Sequence, residues 1–148
     1  MPSYKENYLS PYSTEKIFAI VADIKSYPEF LPWVAGARIL ESKENLLKAE
    51  LLVRFNGFTS NYTSRVTLNR PETAGAPCSI EVELEEGPFK HLSNRWFFKP
   101  EDKKTEINFS IDFAFKSRIL EKMIGGMFDK AVKKMVAAFE KRAEELYS

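Results

Sequence analysis

The chain ends in an apolar stripe that only a second layer of structure can cover. Between Ser117 and Tyr147, residues Ile119, Leu120, Met123, Ile124, Met127, Phe128, Ala131, Val132, Met135, Val136 and Phe139 recur about four apart, the spacing that gathers side chains on one helical face. One long C-terminal helix is predicted, and everything before it must supply a surface for the stripe. Three of the four methionines lie here; a Met-rich face serves either as a forgiving core seam or as an adaptable wall for a flexible apolar ligand. Gly125 and Gly126 interrupt it. Each costs about 1 kcal/mol relative to Ala inside a helix, so the pair marks close backbone packing, a bend, or space left for something else.

The surface comes from a period of two. Leu51, Val53 and Phe55 share one face against Lys48, Glu50 and Arg54, and Asn56-Gly57 marks a hairpin turn. The return run sets Phe58, Tyr62, Val66 and Leu68 against Thr59, Asn61, Thr63, Arg65 and Thr67. Ile80, Val82 and Leu84 alternate with acids up to Gly87-Pro88, Leu92, Trp96 and Phe98 continue, and Ile107, Phe109, Ile111, Phe113 and Phe115 face one way against Glu106, Asn108, Ser110, Asp112 and Lys116. Such alternation means a sheet wet on one side. Upstream, residues 3–9 form a short strand, Ser13 caps a short helix carrying Ile17, Phe18 and Val21, and the prolines of Tyr27-Pro28-Glu29-Phe30-Leu31-Pro32-Trp33 stiffen an aromatic loop. The predicted architecture is α+β: one domain over residues 1–148, an antiparallel sheet curved around the C-terminal helix. Its inward face is aromatic. Large side chains either fill the space or hold the sheet off the helix and leave an apolar cavity, the default ligand site.

Chemistry is mostly excluded. Lys and Arg (22) balance Asp and Glu (21), leaving no global field for DNA. The single His91 faces away from Trp96 and Phe98 and reads as a surface histidine with no acidic partner implied by position; Cys78 has no second thiol or nearby histidine. Glu81, Glu83, Glu85 and Glu86 read as a solvated strand face, and no Gly-rich phosphate loop is present. No metal site and no catalytic group are predicted. Polar exceptions in the inward phase are Ser60, Tyr62, Ser64 and Asn94, read first as hydrogen-bonded core and second as holders of a polar head group. With no signal pattern and no membrane-length apolar run, a cytoplasmic protein is expected, with any membrane contact at the periphery of the inner membrane.

Several stretches resemble a known group: Tyr27 to Trp33, Gly87-Pro88-Phe89-Lys90 with Leu92, Trp96, Phe98 and Pro100, Phe113 to Ser117, and Met135 to Phe139 with Arg142-Ala143. In order and spacing they resemble the START-like, polyketide cyclase/dehydrase-type superfamily, and within it the coenzyme Q-binding proteins and the bacterial ribosome-association toxins. Val34 stands where many members carry cysteine. The resemblance implies a helix-grip fold whose cavity takes ubiquinone or another lipid, the protein acting as a lipid chaperone for respiration without a cofactor of its own. Candidate ligand-binding residues are Phe30, Leu31, Trp33, Val53, Phe55, Tyr62, Ser64, Phe89, Asn94, Trp96, Phe98, Phe109, Phe113, Met123, Met127 and Phe128. Phe30, Leu31 and Trp33, with Gly87-Pro88-Phe89 and the helix near Gly125-Gly126, are expected to frame the opening. The alternative is a toxin that binds the ribosome and blocks subunit association, for which Lys130, Lys133 and Lys134 supply a local cationic patch.

Overall fold

Residues 3–55, 57–125 and 128–147 are described by the computed structural model, backbone only at 55, 58, 124, 125, 128 and 129. Seven strands follow the alternating runs: β1 (Ser3–Ser10), β2 (Val34–Lys43), β3 (Leu46–Phe55), β4 (Phe58–Asn69), β5 (Cys78–Glu86), β6 (Phe89–Glu101) and β7 (Lys104–Phe115). Between β1 and β2 lie α1 (Thr14–Ala22) and a 3-10 turn (Ile24–Glu29), and after β7 come α2 (Arg118–Gly125) and α3 (Phe128–Tyr147). All neighbours are antiparallel, in the order β1-β7-β6-β5-β4-β3-β2, so the first strand closes onto the last. The hairpin expected at Asn56-Gly57 is supported by its described part: Phe55 pairs with Phe58 and Gly57 has φ +85°. Expectations placed on Asn56, Gly126 and Met127, and on the side chains of Phe55, Phe58, Ile124 and Phe128, lie outside the described residues.

The inner face of the sheet is the apolar one. Trp96, Phe98, Phe109, Phe113 and Phe115 are buried there, and α3 covers them with Val132, Val136, Phe139 and Ala143. Each buried Val or Phe among them contributes roughly 1.5–3 kcal/mol on leaving water. Rings meet across the two layers: Phe139 of α3 lies edge-on to Trp96 at 4.9 Å and to Tyr27 and Phe30 at 5.5 and 5.4 Å. The far end of α3 is tied down where Tyr147 packs on Tyr12 and its hydroxyl donates to the Lys16 carbonyl, while Arg142 pairs with Glu29 across the 3-10 turn.

Two expectations need correction. The apolar stripe does not all face the sheet: Ile119 is 72% exposed and Met123 45% exposed, while Leu120 between them is half-buried. At 100° per residue Leu120 lies about 100° around the axis from Ile119 and about 60° from Met123, so a helix that turns Leu120 inward leaves that pair on its flank. His91, on the outer face as expected, does have an acidic partner. Its Nε2 is 3.1 Å from Asp112 Oδ1, because the register sets Asp112 opposite Ser93, the next outward residue on β6. Phe97 is exposed, and Glu81 and Glu85 pair with Arg95 and Lys48 on the wet face. Buried Cys78 sits 3.9 Å from the Thr14 carbonyl, and burial pushes its thiol up to about 11, so it is not a nucleophile at neutral pH.

Candidate site: an apolar cavity between sheet and helix

Where the sheet curves away from α3 a cavity of about 110 Å³ remains. Its position follows from side-chain size. On β3 and β4, Ala49 and Ser64 are directly paired, and two small residues facing inward at the middle of a sheet leave a gap that two large ones would fill. Leu51, Tyr62, Val66, Ile80, Val82, Leu92, Asn94, Trp96 and Ile111 complete the sheet wall; Val21, Ile24, Tyr27, Leu31 and Val34 close one side, and Met135 and Phe139 of α3 form the roof. Among the described residues that line it there is no carboxylate, imidazole or thiol.

Four polar side chains reach this space, and two are already spent. Asn94 donates through Nδ2 to the Ser110 carbonyl at 2.8 Å and accepts Trp96 Nε1–H at 3.2 Å, while the Tyr27 hydroxyl donates to the Val21 carbonyl. The Tyr62 hydroxyl and Ser64 Oγ make no hydrogen bond to another described residue. Burial pushes the Tyr62 hydroxyl up to about 12, so it is a protonated donor throughout the physiological range. Its ring lies edge-on to Phe89 at 5.5 Å, and Phe89 stacks on Phe115 at 4.9 Å, linking the cavity wall to the strand end from which α2 departs. Gly87 is required in that corner. A Cβ there would stand 2.6 Å from the Tyr62 Cβ, and its φ of +155° lies in the range that favours glycine.

Of the residues expected at a ligand site, Leu31, Tyr62, Ser64, Asn94 and Trp96 meet at the cavity. Phe89, Phe98, Phe109 and Phe113 are buried in the packing around it; Phe30, Trp33 and Val53 are half-buried off its wall; Met123 is exposed on α2. Phe55, Met127 and Phe128 lie outside the description of side chains. Sequence reasoning passed over Ala49, Tyr27 and Met135. Parity along the strands places Val66, Val82 and Leu92 inward, and aromatic residues fill space where small and aliphatic residues leave it. Trp33 also stands out by its backbone, with φ +68°, a conformation that costs a bulky residue about 1–2 kcal/mol; its carbonyl is held by the Arg54 N–H at 2.8 Å.

A family model described as polyketide cyclase / dehydrase and lipid transport matches residues 10–140. Among curated proteins, a ribosome association toxin RatA of Rickettsia prowazekii is 40% identical over 146 residues, covering 99% of each chain. A mitochondrial coenzyme Q-binding protein COQ10 homolog B of Xenopus laevis is 32% identical over 148 residues, covering 97% of this chain and 59% of that protein. The solution structure of an 18 kDa protein of Caulobacter crescentus, 36% identical, superposes with a TM-score of 0.77 over 99% of both chains.

Proposed function

Because the chain belongs to the polyketide cyclase/dehydrase and lipid transport family and has its START-like helix-grip fold, we propose that it binds a prenylated quinone of the ubiquinone type and acts as a lipid chaperone in respiratory electron transport, without turnover of its own. The observation that carries this reading is the apolar cavity with two unengaged donors, Tyr62 and Ser64, on one strand. They suit a quinone carbonyl, and the aliphatic and aromatic wall suits its ring. Size limits what enters. A cavity of roughly 150 Å³ holds benzene, so 110 Å³ is below the size of a bare ring: a substituted quinone head enters only as lining side chains move apart, and no room is left for a prenyl tail. The tail therefore runs out of the cavity along apolar surface, each Å² removed from water contributing roughly 25 cal/mol. The name of the COQ10 homolog supports the ligand class, and the lack of a carboxylate, imidazole or thiol among the described lining residues supports binding over catalysis. The test is a titration of detergent-solubilised ubiquinone followed by tryptophan fluorescence in a Trp33→Phe background, where Trp96 on the wall is the reporter. Saturable quenching is expected; none at any concentration would refute the proposal.

A second reading, ribosome association, is favoured by the name of the RatA relative and by the exposure of Lys130, Lys133 and Lys134 on α3. Phosphate contacts by these cations predict salt-sensitive cosedimentation with ribosomal subunits that is lost when all three are changed to Ala. On the quinone reading these changes leave ligand binding intact.

A further inference from the structure

We propose that α2 is a docking element for anionic membrane surfaces, a role that rests on the exposed face of this helix and stands whether or not the cavity takes a quinone. Ile119 and Met123 form an exposed i, i+4 row. Beside it runs a second exposed row, Arg118 and Lys122, with Lys116 exposed just before the helix begins. Cations flanking an apolar ridge match a bilayer interface, where the apolar side chains enter the acyl boundary and the long basic stems reach the phosphates. Charge is concentrated here. Residues 116–125 carry three cations and one acid, leaving nineteen cations and twenty acids elsewhere in a chain of near-zero net charge.

Other occupants fit less well. RNA phosphates account for the cations but gain nothing from an exposed isoleucine and methionine. A second copy of the chain docked through the same ridge would bring Arg118 and Lys122 against their own counterparts, and two apolar side chains fall far short of the roughly 800 Å² per partner of a stable interface. The site lies at the same end of the sheet as the Tyr62–Phe89–Phe115 contacts that border the cavity, and the Lys116 N–H is bonded to the Pro88 carbonyl of the β5–β6 turn. A chain docked by α2 would present that end to the lipid.

The experiment is cosedimentation of the full chain with vesicles of phosphatidylcholine alone and of phosphatidylcholine mixed with phosphatidylglycerol. Binding to the mixed vesicles, weakened by salt, is expected. Each cation near such a surface contributes roughly fivefold in partitioning, so Arg118→Gln with Lys122→Gln should lower it about 25-fold. Ile119→Ser with Met123→Ser should also weaken it, at high salt as well as low. All four side chains are exposed, and circular dichroism checks that the variants fold. Lys103→Gln with Lys104→Gln, at the exposed β6–β7 turn, should bind like the wild type. Equal binding to neutral vesicles, equal loss in the β6–β7 control, or undiminished binding by the Ile119/Met123 variant would overturn the proposal. So would a dimer that the same serine substitutions dissolve, or ribosomal cosedimentation in place of vesicle binding.

Discussion

Filling the cavity from the wall is the sharpest perturbation the structure offers. Ala49 is buried, faces Ser64 across β3 and β4, and lines the 110 Å³ space. At about 24 cal/mol per Å³ of void, an empty cavity of 110 Å³ costs the fold about 2.6 kcal/mol. Ala49→Leu places three further carbons in that space and should recover about 1 kcal/mol of it. With a urea slope of about 2 kcal/mol/M, the unfolding midpoint rises by about 0.5 M. The same three carbons occupy the space proposed for the ligand ring, so quinone affinity should fall at least about tenfold, about 1.4 kcal/mol. Stability up and binding down is a combination that a general packing defect does not produce. Urea denaturation by far-UV circular dichroism and quinone titration by Trp96 fluorescence measure the two sides. A variant at least as stable as the wild type that keeps full quinone affinity would show that the ligand sits elsewhere.

Tyr62→Phe removes a hydroxyl bonded to no described residue, so unfolding free energy should change by less than about 0.5 kcal/mol while quinone affinity falls about tenfold, the value of one buried hydrogen bond. The same tyrosine sets an alkaline limit: its hydroxyl titrates near 10 in the unfolded chain and at about 12 when folded. Its stabilising contribution is thus complete below pH 10 and is lost as pH rises from 10 towards 12, with buried Tyr27 acting in the same direction. Urea midpoints across that range should fall, and less steeply in the Phe variant. Gly87→Ala forces a Cβ within 2.6 Å of the Tyr62 Cβ, so a loss of about 1–3 kcal/mol in thermal or urea unfolding is expected together with weaker quinone binding.

The architecture was legible because it depends on period. Alternation along β3 to β7 and the apolar spacing of Val132, Val136 and Phe139 each dictate one buried face, and the two faces have only each other to cover. The cavity was half legible. Tyr62, Ser64 and Asn94 were visible as polar residues in an inward phase, but which of them keeps a free donor depends on neighbours: Asn94 is engaged by Ser110 and Trp96, whereas Tyr62 and Ser64 are not. The void itself arises from a pairing, Ala49 with Ser64, that no local pattern reveals. Helical periodicity likewise could not tell that α2 turns Leu120 inward and leaves Ile119 and Met123 outside, since both rows belong to one wide stripe.

An isoprenoid quinone in the cavity between sheet and helix would travel with the protein through purification. Extraction of lipid from the protein purified without detergent out of a quinone-producing host, followed by mass spectrometry, tests it most directly. A prenylated quinone is expected in stoichiometric amount from the wild type and at a small fraction of that from Ala49→Leu. Quinone at the same trace level in both preparations would contradict it.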